Sequence, residues 1–247
     1  MRRRSLLLRV VLVISVMGLG SLASGCSGSK VATKSSPELS RYHIRSIALL
    51  PFAVISTPQV RDQDDLFIPT PQGVRQADIS LHIPSEAHPL HKQTMSVPGY
   101  AAEKVTELFW GRLRDRKGIQ VLSPGESVKA SLADSTQIGA SSEKTAAAVA
   151  KKLNVDATLV GLVSVYQERV GSRLGANPPA TVGFETKVVA ADGQVLWAGG
   201  YYERQRPMTE DLLGFLQRWA FVTAAELAEY GVNEVLKEFP FGEAGDK

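Results

Sequence analysis

The sequence predicts an α/β fold of three layers, in which a mixed five-stranded sheet (three parallel strands plus a C-terminal antiparallel hairpin) is flanked by helices. Three observations predict it. From residue 44 onward, short apolar runs alternate with segments of helical period, the pattern of βα crossovers. Near the C-terminus, two alternating runs flank Ala191-Asp192-Gly193-Gln194, and Asp-Gly between such runs is a strong hairpin signal. The chain has 247 residues, 44% of them hydrophobic, which is enough for a substantial core.

Ile44–Phe52 (IRSIALLPF) is a short apolar run closed by Pro51, which fits a buried first strand. Residues 53–97 follow as an insert dotted with prolines, and a loop this long in a compact domain is often functional. Within it, Ala77–Ile83 alternates as a short strand would. Gly99–Lys117 reads as a helix, because Ala101, Val105, Leu108, Phe109 and Leu113 recur on one face and Gly118 supplies a stop. Ile119–Leu122 is a short strand. Ser123 and Glu126 form a capping box for a helix to about Ala133. Ser142–Leu153 is helical, with Ala146, Val149, Ala150 and Leu153 on one face and Asn154 as terminator. Val155–Val165 is the strongest strand signal in the chain. After a Gly/Pro loop, Glu168–Pro179, come the hairpin strands Ala180–Ala190 and Val195–Arg204. Thr209–Leu216 is a short helix or turn. Thr223 and Glu226 cap a last helix to about Lys237 that buries Leu227, Gly231 and Val235, with Leu236 at the margin. Two crossovers make the first three strands parallel.

The N-terminus carries an address. Arg2, Arg3, Arg4 and Arg9 precede a nearly unbroken apolar stretch, Val10–Leu22, and Ala23-Ser24-Gly25 lead to Cys26, the only cysteine. As a helix the stretch covers roughly 20 Å, short of a hydrocarbon core of roughly 30 Å, so it reads as a secretory h-region. Leu22-Ala23-Ser24-Gly25-Cys26 resembles the lipobox of bacterial lipoproteins, with Ala23 where Leu is commonest. The resemblance implies cleavage between Gly25 and Cys26, a diacylglyceryl thioether on the Cys26 sulfur and acylation of the new amino group. The alternative is ordinary cleavage after Gly25 or Ala23 with a free thiol nearby. Arg3-Arg4-Ser5-Leu6-Leu7 resembles a twin-arginine signal, but Arg2 replaces the usual polar residue, which favours Sec export. Ser27 resembles outer-membrane sorting in a diderm cell.

The domain plan is thus a cleaved signal peptide at 1–25, a lipidated Cys26 with a flexible tether over 26–42, one α/β domain over 43–241, and a disordered tail at 242–247. The tether assignment rests on Ser27–Ser40, which is polar, rich in Ser and Lys, and without apolar period. The net charge of +3 disappears with the signal peptide: 24 basic residues then face 25 acidic ones. This gives no footprint for nucleic acid. One cysteine excludes a disulfide framework and a Cys-rich metal site.

Three segments carry a further resemblance: Ser46-Ile47-Ala48-Leu49-Leu50-Pro51-Phe52, Ala150–Gly161 (AKKLNVDATLVG) and Ala191-Asp192-Gly193-Gln194-Val195-Leu196-Trp197. Together they are similar to a signature of periplasmic lipoproteins related to the curli-secretion lipoprotein (CsgG-like), to the penicillin-binding-protein activators (LpoB-like), and to the amino-terminal domain of TolB. The resemblance implies a protein-binding role without catalytic residues. The insert at 53–97 and the segment from Tyr202 to Phe241 depart from the common pattern. Pore formation is not carried over, since no pair of strands with one consistently apolar face of membrane length is visible.

Motifs for chemistry are sparse. His82, His88 and His91, with Glu86, crowd the insert and are weak candidates for a metal. Their spacing matches neither HExxH nor a cysteine clamp, which favours solvated histidines and no metal. Ser141-Ser142-Glu143-Lys144 contains SxxK but sits at a helix start, with neither SDN nor KTG elsewhere. Gly171–Gly175 precedes a strand, whereas a phosphate cradle follows one, so a mobile loop is the expectation there. Asp64-Asp65 and Glu210-Asp211 are explained by solvation or helix dipoles. The expectation is no catalytic residue and no cofactor beyond the covalent lipid on Cys26.

Aromatic residues gather late in the chain. Trp197 and Tyr201 share one face of a strand and read as core, while Tyr202 takes the other face. Tyr202, Phe215 and Trp219 are candidate partner anchors, because Phe215-Leu216-Gln217-Arg218-Trp219 mixes apolar and basic groups as interfaces do. The expected function is a lipid-anchored, non-enzymatic envelope protein on the periplasmic face of the outer membrane, binding another envelope protein or itself. The alternatives are a small-ligand or metal-binding lipoprotein that uses the 53–97 loop, and a hydrolase with non-standard motifs.

Overall fold

A computed structural model describes residues 30–57, 59–60, 94–132, 142–206 and 220–244 of the chain. The strands and helices run β1 (Val31–Ser35), β2 (Ser46–Leu49), β3 (Ala53–Val54), β4 (Gln59–Val60), β5 (Thr94–Met95), α1 (Gly99–Leu113), β6 (Gln120–Leu122), α2 (Pro124–Leu132), α3 (Ser142–Leu153), β7 (Ala157–Gln167), β8 (Thr181–Ala190), β9 (Val195–Arg204) and α4 (Ala224–Lys237). A single mixed sheet has the order β1-β9-β8-β7-β2-β6, with β3 also paired to β7, and β4 pairs separately with β5.

The expected topology is present and is extended. β2 is parallel to β6 and β7, and β8 and β9 form the antiparallel hairpin. The hairpin turn places Gly193 at φ 98°, a conformation that costs glycine little because it has no Cβ. The sheet has seven strands rather than five, because β3 and β1 were not expected. β1 lies within the expected tether: Val31–Ser35 pairs antiparallel with Trp197–Tyr201 of β9. Its polar sequence hides it, since a short edge strand needs only one apolar contact, which Val31 provides against the core. The expected disordered tail also begins too early, because the Lys117 and Glu243 backbones bond reciprocally at 3.0 and 2.8 Å. The predicted strand at 77–83 and the turn at 209–216 lie outside the described residues.

Alternation along β2 separates two apolar clusters. Ile47 and Leu49 join Leu159, Phe184, Val188, Trp197 and Tyr201 under α1 and α4, whereas Ala48 and Leu50 meet Val149 and Ala150 of α3. Phe109 of α1 anchors the larger cluster, tilted against Phe52 at 4.9 Å and edge-on to Phe184 at 5.7 Å. Leu108 is only partly buried, at the margin of the α1 stripe. Both expected capping boxes form. Glu126 accepts from the Ser123 N–H at 2.9 Å and Ser123 Oγ accepts from Glu126 N–H, and the Thr223 and Glu226 pair is reciprocal in the same way. Asn154 ends α3 at φ 53°.

The parallel pairing is fixed at its start by Asp156. Its carboxylate accepts from the N–H groups of Arg45 (2.8 Å) and Ser46 (2.9 Å) and from the Ser46 hydroxyl (2.9 Å). The Asp156 N–H donates to Ser46 Oγ at 3.0 Å. Partial burial works to raise the Asp156 pKa, but these hydrogen bonds outweigh it and hold the carboxyl below its ordinary range.

Candidate functional site

One end of the sheet gathers the start of β1, the ends of β7 and β9, the loop 168–179 and the first turns of α1 and α4. The strand pairings place them there. Tyr202 N–H donates to Lys30 O at 3.0 Å, Tyr202 pairs with Gly183, and Gly183 pairs with Val165, two residues before β7 ends.

This end is braced from inside. The buried Glu203 carboxylate accepts from Lys30 Nζ at 3.0 Å and, through a short hydrogen bond, from the Tyr201 hydroxyl. The first described residue of the chain is thereby tied to β9 by side chain as well as by backbone. Tyr201 packs closely on α4, where a Cβ on Gly231 would fall 2.3 Å from its ring. Gln205 accepts from the Val222 N–H at 2.9 Å and holds the entry to α4.

The loop 168–179 is fastened to the same helix. Glu168 accepts from the Ala224 N–H at 3.1 and 3.2 Å, placing a carboxylate at the positive end of α4. Arg173 pairs with Glu226 at 2.8 Å, and its carbonyl accepts from Phe221 N–H at 2.8 Å. The loop closes on itself through Val170 N–H to Pro178 O and Asn177 N–H to Val170 O. Fixed in this way, it holds apolar side chains in solvent: Leu174 is 88% exposed and Val170 61%. Tyr100, at the start of α1, is 60% exposed and stands edge-on to Tyr166 at 5.8 Å. Tyr202 is 53% exposed on the sheet face away from α4. These four are the large exposed hydrophobic residues among those described, and all four sit at this end.

A shallow depression of about 370 Å³ lies here, lined by Pro98, Tyr166, Glu168, Val170 and Pro178 among others. Burial, with Tyr100 and Glu168 adding to it, pushes the Tyr166 phenol up to about 12, so it stays protonated at neutral pH. A second depression of about 350 Å³ lies between α1 and the end of α4, beside Arg116. The Arg116 guanidinium donates to the carbonyls of Phe241 (3.0 Å), Gly242 (2.9 Å), Phe239 (3.3 Å) and Leu236 (3.4 Å). It also lies over the Phe239 ring, 5.2 Å from its centroid. That arrangement clamps the C-terminal segment, as an arginine fork suits.

The expected site residues separate. Tyr202 is exposed on β9. Trp197 and Tyr201 are core, and Phe221 is buried with them. Phe215 and Trp219 lie outside the described residues, as do Gly25, Cys26, Asp64, Asp65, Glu210, Asp211, Ser141, and the weak metal candidates His82, His88 and His91 with Glu86. Among the described residues no group of three or more His, Cys, Asp or Glu side chains could hold a metal. In the Gly171–Gly175 run, Ser172 N–H is spent on Gly175 O and Leu174 N–H on Ser172 Oγ, so neither amide is presented to a phosphate. The sequence reading missed Tyr100, Val170 and Leu174. Their signal was visible as single apolar residues, in a Gly/Pro loop and off the buried stripe of a helix.

No family model matches the chain, and no curated protein matches it in sequence. Similar solved structures include the PelC dodecamer from Paraburkholderia phytofirmans, at 13% identity and TM-score 0.43, covering 86% of this chain and 97% of that one. The C-terminal domain of LpoB from Salmonella enterica is 10% identical at TM-score 0.35, with 68% and 94% covered. Lipoprotein GNA1162 from Neisseria meningitidis is 15% identical at TM-score 0.34, with 71% and 94% covered.

Proposed function

We propose that this chain is a lipid-anchored envelope lipoprotein, facing the periplasm from the outer membrane, that acts without catalysis by binding another protein during assembly or secretion. The observation that carries the reading is the placement of Cys26. It is the chain's only cysteine, it follows a short apolar run and three small residues, and it lies four residues before Lys30, the first of the described residues. Acyl chains contribute about 0.8 kcal/mol per buried CH₂, so two or three of them hold a protein on a bilayer without a spanning helix. No helix of the described residues is long and apolar enough to cross a membrane.

Support for binding rather than chemistry comes from the surface. At the braced end Tyr100, Val170, Leu174 and Tyr202 stay exposed among charged groups, and the two depressions there and beside Arg116 are open. On the side away from α4, β1, β9 and β8 present Ala32, Lys34 and Glu185 to solvent beside Tyr202. Such a mixed polar and aromatic face suits a protein partner. Two experiments test the reading. Cys26→Ser moves the protein from the membrane fraction and leaves the signal peptide uncut; a variant that still fractionates with membranes at mature mass contradicts the anchor. A photoreactive amino acid at Tyr202 yields a specific cross-linked adduct in native membranes. If a label there gives none and one at Gln194 does, the assigned partner surface is wrong.

A further inference from the structure

The leash between lipid and fold is short, and it is attached at one particular end. β1 takes up residues that would otherwise be tether, so from Cys26 to Lys30 the chain reaches at most about 14 Å. Lys30 is fixed by its backbone to Tyr202 and by its ammonium to Glu203. The opposite end of the sheet, at the Asp192-Gly193 turn, is about 25 Å further along β9. A leash of this length permits the domain to stand on its Lys30 end or to lie on its side. The side chains select between these poses. Tyr100, Val170, Leu174 and Tyr202 all lie at the leash end. The far end shows none of the large exposed hydrophobics among the described residues, and presents Asp192, Gln194, Lys151 and Lys152 instead.

We infer that the end carrying Tyr100, Val170 and Leu174 rests on the bilayer that holds the lipid, with Leu174 and Val170 entering its interfacial zone and the sheet standing upright. The inference depends on lipidation of Cys26 and adds the orientation. Leu174 sits at the tip of a loop beside Arg173, whose side chain stays 62% exposed while paired with Glu226 and suits the headgroup layer, where a long basic side chain keeps its charge in water while its stem packs on apolar surface. Because Glu168, Arg173 and Val170 already fasten the loop to α4 and to itself, its apolar tip is presented without an ordering cost on contact. An upright domain leaves Lys34 of β1 and Glu185 of β8 open to solvent, and Tyr202 marks the base of that face.

Depth-dependent quenching tests this on the full lipidated protein in vesicles of phosphatidylethanolamine and phosphatidylglycerol. Lipidation caps the Cys26 sulfur as a thioether, so Leu174→Cys or Gln194→Cys supplies the one reactive thiol for a small fluorophore. With nitroxide-bearing lipids the label at Leu174 loses roughly half its emission, as expected for a group some 5–10 Å into the interface, and the label at Gln194 loses less than about a tenth. If the two labels are quenched alike while the protein stays bound to vesicles, the orientation is wrong and the lipid anchor stands. If the Leu174 label is shielded from both nitroxide lipid and aqueous iodide, protein covers the patch and the bilayer contact is wrong. If the unsubstituted protein itself takes up the fluorophore at Cys26, the anchor is wrong and the inference goes with it.

Discussion

Asp156→Ala removes the acceptor that starts the parallel pairing of β2 with β7, and its cost can be worked from geometry. Three hydrogen bonds of 2.8–2.9 Å end on this carboxylate, two from backbone N–H groups and one from the Ser46 hydroxyl. A hydrogen bond to a charged group contributes about 1.5–3 kcal/mol when shielded and less when water can replace it. The Arg45 amide is at the surface and the Ser46 groups are half-buried, so about 2–4 kcal/mol in total is reasonable. For a domain of this size that lowers Tm by about 4–16 °C. Asp156→Asn keeps one acceptor oxygen and loses the charge, so it falls between the two. The loss also depends on pH. The folded state holds the Asp156 carboxyl below its ordinary range, so the unfolded chain takes up that proton first as pH falls. Its stabilising contribution is therefore present above about pH 4 and disappears as pH falls through the folded-state value. Urea titrations of wild type and Asp156→Ala at pH 7 and at pH 3 measure both parts. A gap under about 0.5 kcal/mol at pH 7, or one that does not narrow at pH 3, refutes the reasoning.

Other expectations are equally direct. Gly161→Ala places a Cβ 2.1 Å from the buried Phe52 ring, which itself packs on Phe109, and destabilises the domain by about 1–3 kcal/mol in chemical denaturation. Thr223→Ala removes the α4 cap and costs about 1 kcal/mol, while Thr223→Ser retains most of it. Arg116→Lys does not restore what Arg116→Ala loses, because one ammonium cannot serve four carbonyls from a planar fork; limited proteolysis after Lys237 reads the release of the C-terminal segment in both.

Much of this fold was legible because its elements carry local signals. α3, β9 and the capped start of α4 were readable from periodicity, an Asp-Gly turn and a Thr-x-x-Glu box, all of which act within a few residues. What was not legible depends on distant partners. β1 looks like tether because Ala32–Ser35 stay exposed and only Val31 packs inward; its strand exists because β9 offers an edge. Asp156 lies in the AKKLNVDATLVG segment, but its purpose depends on Ser46, 110 positions earlier. The candidate surface divides in the same way. Tyr202 was readable from strand alternation beside Tyr201. Val170 and Leu174 were not, since an apolar side chain in an irregular loop has no period, and its meaning comes from being fixed in solvent by Glu168 and Arg173.

The central claim is that a lipid on Cys26 holds this α/β body at a membrane. Intact-mass and peptide mass spectrometry of protein extracted from membranes tests it most directly. The account predicts a chain that begins at Cys26 and whose first peptide carries a diacylglyceryl thioether with an acylated amino group. A chain that keeps residues 1–25, or begins at Cys26 with a free thiol, contradicts it.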